Sequence, residues 1–208
     1  MSRTALMGGT AGDVGILQER LWTGATVITA LRTAASAGAA AWALHERSLT
    51  LLVVALGIYW VGDILDGTWA RVRGCETRIG AVLDIFSDRF NAGAFYLGLA
   101  WLQPDLSPAI FVYLAEFMVV DTFLSIAFLA WPIRSPNYFY VVDRTIWLWN
   151  WSPPAKAVNS ALFAVLLLVT GWMWLGLAIA SALLVLKCWS VVRLLRIGLP
   201  VPPVAHVG

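Results

Sequence analysis

Residues 49–88 read LTLLVVALGIYWVGDILDGTWARVRGCETRIGAVLDIFSD. An apolar run of membrane-crossing character ends in carboxylates, spaced Asp63-x-x-Asp66-Gly67-x-x-Ala70-Arg71, eight further residues, then Gly80-x-x-x-Asp84-x-x-x-Asp88. Four carboxylates this close repel one another. They are costly near a membrane core, where ionisable residues are functional by default. Divalent cations would neutralise them, so the stretch reads first as a metal site.

The rest of the chain supplies the membrane setting. It has 208 residues, 60% of them hydrophobic and only 12% charged, with a mean hydropathy of +0.78. A soluble domain carries roughly twice that charged fraction. The fold class expected is all-α: a polytopic integral membrane protein of six transmembrane helices, preceded by a short interfacial helix over 13–21. The spans fall at about 22–44, 49–72, 79–102, 108–131, 155–171 and 173–196, each close to the roughly 20 residues a bilayer crossing needs. Residues 1–12 carry no positive segment leading into an apolar one, so no cleavable signal peptide is expected. They read as a disordered lead, 13–198 as a single six-helix transmembrane domain and 199–208 as a disordered tail. The connection 132–154, rich in Pro, Trp and Tyr, suits the membrane interface.

Charge fixes orientation and excludes one partner class. Arg3, Arg20, Arg71, Arg73, Arg78, Arg134, Arg144, Lys156, Arg193 and Arg196 fall on one side of the expected topology, and Arg47 alone on the other. That asymmetry puts both termini and the aspartates on the cytoplasmic face of the cell (inner) membrane. A net charge of +2 without a basic run gives no reason to expect nucleic acid. Cys75 and Cys188 read as free thiols.

On helices, Asp63 and Asp66 share one face, and Asp84 and Asp88 another. If spans two and three pack antiparallel, the two pairs converge. Carboxylate oxygens suit hard cations such as magnesium, manganese or calcium. Gly67 and Ala70 keep one face small, and Arg71 can bind phosphate or balance charge. Two carboxylate-bridged metals can bind a diphosphate and stabilise both oxygens of a displacement at phosphorus. A nearby carboxylate can take the proton from an attacking hydroxyl. The bland alternative is two helices stitched by Asp–Arg bridges, which leaves much of the negative charge uncompensated.

At these residues the sequence resembles the CDP-alcohol phosphotransferase (CDP-alcohol phosphatidyltransferase) family, whose signature D-x2-D-G-x2-A-R-x8-G-x3-D-x3-D is matched at all eight specified positions. The resemblance implies a six-helix fold, two divalent cations (Mg2+ or Mn2+), homodimerisation, and transfer from CDP-diacylglycerol to an alcohol with release of CMP. Carried over, Asp63, Asp66 and Asp84 look like metal ligands. Asp88 looks like a further ligand and the catalytic general base. Asp66, Gly67, Ala70, Arg71 and Gly80 look like the CDP pocket.

The acceptor is less legible. The stretch from Arg78 to Asp84, with Asp88-Arg89, resembles phosphatidylinositol-phosphate synthases. Thr26-x-x-Thr29-x-x-Arg32 is nearer to phosphatidylglycerophosphate and cardiolipin synthases, as is Ala155-Lys156. Inositol phosphate or glycerol phosphate is favoured, with phosphatidylglycerol as the alternative. Lys156, Arg134, Arg144 and Arg193 are candidates to clamp an acceptor phosphate. Glu116 and Asp121, inside span four, could polarise the acceptor pocket or pair with Lys187 or an arginine. Two rivals from other classes are a prenyltransferase-like enzyme, which lacks its usual N-D-x-x-D repeat here, and a cation transporter. A transporter would need polar residues through the full membrane depth.

Overall fold

The computed structural model describes Glu19 and residues 21–200. The lead 1–12, the tail beyond 200 and the expected interfacial helix, except Glu19 and Leu21, lie outside the described residues. Six long helical segments occupy the six expected spans: α1 (Gly24–His45), α2 (Leu49–Arg73), α3 (Arg78–Leu102), α4 (Pro104–Ala130), α6 (Pro153–Thr170) and α7 (Met173–Ile197). A short α5 (Arg144–Asn150) lies in the connection before α6. All but α3 are long and apolar enough to cross a bilayer. The exception carries Arg78, Asp84, Asp88 and Arg89 along one helix.

Local chemistry sets the ends of the helices that carry the acids. Thr23 caps α1 through a capping box: its hydroxyl accepts from the Thr26 N–H, while the Thr26 hydroxyl accepts from the Thr23 N–H at 2.8 Å. Helix α2 stops at Gly74, whose φ of 60° places it in the left-handed region that glycine enters without strain. Three residues later Thr77 caps α3 by accepting from the Gly80 N–H at 3.0 Å. The chain therefore reverses within 74–77, and α2 and α3 run antiparallel with their acidic ends adjacent. Helix α1 packs along α2 and also contacts α3, closing a three-helix unit around those ends.

Two apolar clusters hold this unit to the remainder. In the larger, Tyr113 of α4 stacks on Phe163 of α6 with centroids 4.3 Å apart, and Tyr96 of α3 leans on Tyr113 at 4.7 Å. In the smaller, Phe128, Phe139, Ile146, Trp151 and Leu194 bury the 132–154 connection against α4 and α7. Large apolar side chains elsewhere face outward along the helices, among them Val61, Ile64, Val72, Phe86, Phe90, Trp101 and Val185. Water would penalise such a surface, whereas lipid accommodates it.

Two of the spans are not regular. Residues Glu116–Asp121 in α4 and Ala157–Leu162 in α6 wind as π-helix. Such segments are rare and recur at functional sites.

Candidate active site

The antiparallel pair brings the acids together. Ligand oxygens of Asp63, Asp66 and Asp84 all lie within 4.8 Å of one another. Asp88 stands one helical turn beyond Asp84 and joins the group through a residue from α1. That residue is Arg32. Its Nε donates to Asp66 Oδ2 at 2.7 Å, and its Nη2 reaches Asp84 Oδ1 at 2.6 Å, Asp88 Oδ1 at 3.1 Å and Asp63 Oδ1 at 3.4 Å. Thr29, one turn earlier, donates its hydroxyl to Asp66 Oδ2 at 2.7 Å. The arginine is 5% exposed and its Cζ sits 5.5 Å from the Tyr59 ring centroid. Gly62 makes room for it, because a Cβ there would lie 2.5 Å from Arg32 Cβ.

Asp–Arg bridges thus exist, but they come from Arg32 and not from Arg71. Among the described residues Arg71 makes no ion pair with the aspartates. One guanidinium against four carboxylates leaves negative charge in excess. The oxygen-only donor set and the tight spacing of Asp63, Asp66 and Asp84 fit a hard divalent cation.

Two clefts meet at this centre. The first, about 900 Å³ with its open mouth, is lined by Asp66, Gly67, Ala70, Arg71, Thr77 and Gly80, with Thr26 and Thr29 from α1. Every residue expected at a CDP pocket is on its wall. Gly80 permits the close approach there, since a Cβ would come within 2.8 Å of Thr77 Oγ1. The second cleft, about 970 Å³ with its mouth, runs past Asp88 and Arg89 to Glu116, Asp121, Asn150 and Lys187. Asp63, Asp84 and Lys156 belong to both walls.

The four expected phosphate-clamping cations separate. Lys156 lines both clefts and Arg134 lines the first. Arg144 and Arg193 line neither. Arg193 is held by Asp143, with Nε 3.0 Å and Nη2 2.8 Å from Oδ2. Burial raises the Asp143 carboxyl pKa, but the Arg193 hydrogen bonds and the Ile146 N–H outweigh it and hold the group below the usual carboxylate range. Within span four, Asp121 pairs as expected with Lys187 and also binds Arg89, whose Nε donates to Thr122 Oγ1 at 2.9 Å.

Sequence reasoning assigned no role to Arg32, Thr29 or Arg89. A signal for the first two is present: Thr26, Thr29, Arg32 and Ser36 recur at helical spacing in an otherwise apolar span, and all are buried. Such a stripe marks the face that turns away from lipid.

The fold and site define a polytopic helical membrane protein with a carboxylate centre between two clefts. The chain belongs to the CDP-alcohol phosphatidyltransferase family, whose profile matches residues 22–192. Curated relatives include the phosphatidylinositol phosphate synthase of Mycobacterium tuberculosis, 40% identical over 75 residues, which are 36% of this chain and 35% of the relative. The protein of the same name from Mycobacteroides abscessus is 42% identical over 74 residues, 36% of this chain and 34% of the relative. That from Corynebacterium glutamicum is 31% identical over 74 residues, with the same coverage. The alignments thus span about a third of the length of these relatives. No solved structure matches the chain.

Proposed function

We propose that this protein is an integral membrane phosphatidyltransferase of phospholipid biosynthesis. It transfers the phosphatidyl group of CDP-diacylglycerol to a hydroxyl of a small polar acceptor and releases CMP. The observation that carries the reading is the junction of two clefts at Asp63 and Asp84, where three carboxylates crowd within 4.8 Å. A donor diphosphate in one cleft and an acceptor in the other would meet only there.

Asp63, Asp66, Asp84 and Asp88 would hold two divalent cations, Mg2+ or Mn2+. Bound there, the cations would neutralise the diphosphate and stabilise the oxygens that attack and leave. Gly67, Ala70 and Gly80 leave the first cleft shallow against the backbone, and Arg71 stands beside them to hold phosphate. Asp88 faces the second cleft and takes the proton of the acceptor hydroxyl as its oxygen bonds to the phosphorus on the lipid side. The bond from that phosphorus to the CMP oxygen breaks, and CMP departs through the first cleft. Lys156, at the junction, can hold an anionic acceptor group.

The name shared by the relatives favours inositol phosphate over glycerol phosphate as acceptor. The excess of arginine and lysine on one side supports a site at the cytoplasmic face of the cell membrane as part of the proposal. Homodimerisation, implied by the family resemblance, is part of the same proposal. The test supplies detergent-purified protein with manganese, CDP-diacylglycerol and, in turn, inositol phosphate, glycerol phosphate and phosphatidylglycerol. The lipid product is identified by mass. Phosphatidylinositol phosphate is expected; no phospholipid product from any acceptor overturns the reading.

A further inference from the structure

The second cleft has an uneven supply of hydrogen-bonding groups. Both cations on its inner wall, Arg89 and Lys187, are engaged by the same carboxylate, Asp121. Three buried polar atoms of the wall are not engaged: two carbonyl-type oxygens that accept, and the Ser135 hydroxyl, which can donate or accept. Glu116, 1% exposed, has no hydrogen-bond partner for Oε1, and Asn150, 3% exposed, has none for Oδ1 among the described residues. The Asn150 amide nitrogen is already committed to Ile146 O at 2.8 Å and Ser190 Oγ at 3.0 Å. Both residues line the cleft. A buried polar atom left unpaired is costly, and native sites pair such atoms with a ligand or water.

The backbone points the same way. Residues five apart in a π-helix fall near one face, because its hydrogen bonds run from i to i+5. The segment Glu116–Asp121 therefore turns both of its acids inward. The other π segment, Ala157–Leu162, presents Asn159 and Ser160 to the same cleft. Both π segments among the described residues thus line one cavity.

What would satisfy this wall must donate hydrogen bonds. A phosphate cannot, whereas a hydroxyl can. We propose that Glu116 and Asn150 form a hydroxyl-reading subsite that orients a polyol acceptor through hydroxyls other than the one that attacks. An anionic group on the same acceptor stays at the Lys156 end, where a cation is exposed. The inference rests on the reading of the second cleft as the acceptor side. It adds to that reading the chemical class of the acceptor and the residues that choose it.

The test compares wild type with Glu116→Leu and the conservative Glu116→Gln. Inositol 1-phosphate serves as the hydroxyl-rich probe and glycerol 3-phosphate as the hydroxyl-poor one. Loss of a buried hydrogen-bonding partner predicts a rise of about tenfold in the KM for inositol 1-phosphate with Glu116→Leu. The KM for glycerol 3-phosphate should change less, and that for CDP-diacylglycerol should stay as in wild type. Glu116→Gln, which keeps one carbonyl oxygen, should fall between. Binding is also read without turnover, as the thermal stabilisation that inositol 1-phosphate gives to manganese-loaded protein; at the same ligand concentration Glu116→Leu should reduce it. The inference is overturned if inositol 1-phosphate stabilises Glu116→Leu as it does wild type, if it fails to stabilise wild type, or if donor and acceptor KM rise together. Absence of CMP release from wild type overturns the proposed function instead, and the stabilisation comparison still decides the subsite.

Discussion

Arg32 is a single guanidinium set among four carboxylates, and that imbalance governs how the centre behaves when cations are withdrawn. Removing one partner of a buried ion pair strands the other, at a cost of roughly 3–5 kcal/mol. Arg32→Met should therefore lower the melting temperature sharply in the presence of a chelator. Manganese, competing for the same oxygens, should recover more of that loss in Arg32→Met than it adds to wild type. An equal manganese response in both proteins would show that Arg32 and the cations do not share ligands. Asp88 lines the second cleft and not the first, and has a different expected signature. Asp88→Asn should cut turnover by about 10²–10⁴-fold, the usual worth of a general base, while most of the manganese-dependent stabilisation remains. At this scale the acids were readable because carboxylates stand out in an apolar run. Arg32 also stood out, but the partners of an α1 residue lie more than thirty positions away in sequence, and spacing within one helix does not reveal them. Arg193 is a parallel case: its charge was visible in the sequence and its partner Asp143 was not.

Among the elements, the connection 132–154 shows how a polar contact positions an apolar one. Asp143 caps α5 by accepting from the Ile146 N–H at 2.7 Å and grips Arg193 of α7. Ile146 and Leu194, each beside one of these polar groups, are fully buried. Because the folded pKa of Asp143 lies below its unfolded value of about 3.9, its contribution is complete above that value. It is lost as pH falls through the folded pKa. Melting temperatures of wild type and Asp143→Asn should thus differ near neutral pH and converge below about pH 4. A gap that persists unchanged in acid would mean that the charge of Asp143 plays no part. Helix positions were legible from apolar run length, and the reversal at 74–77 from Gly74 and Thr77. The π segments were not. Nothing in Glu116–Asp121 or Ala157–Leu162 departs from an α pattern, since the extra residue in the turn is selected by packing against other helices.

Across the whole molecule, two contiguous clefts share Asp63 and Asp84 at one acidic centre, and large apolar side chains face outward along the helices. On the proposed function, a donor in one cleft and an acceptor in the other would meet at the same phosphorus. The part of the first cleft formed by α2 and the start of α3 was legible because those residues follow one another closely in the chain. The second cleft was not, because it is assembled from α2, α3, α4, α6, α7 and the 132–154 connection. No single stretch of sequence carries its pattern. The most direct measurement is CMP release by detergent-purified protein given CDP-diacylglycerol and inositol phosphate, with manganese or with chelator, in wild type and Asp84→Asn. Manganese-dependent CMP release by wild type, lost with chelator and in Asp84→Asn, is the predicted result. CMP release that persists in chelator, or its absence in wild type with every component present, would contradict the account.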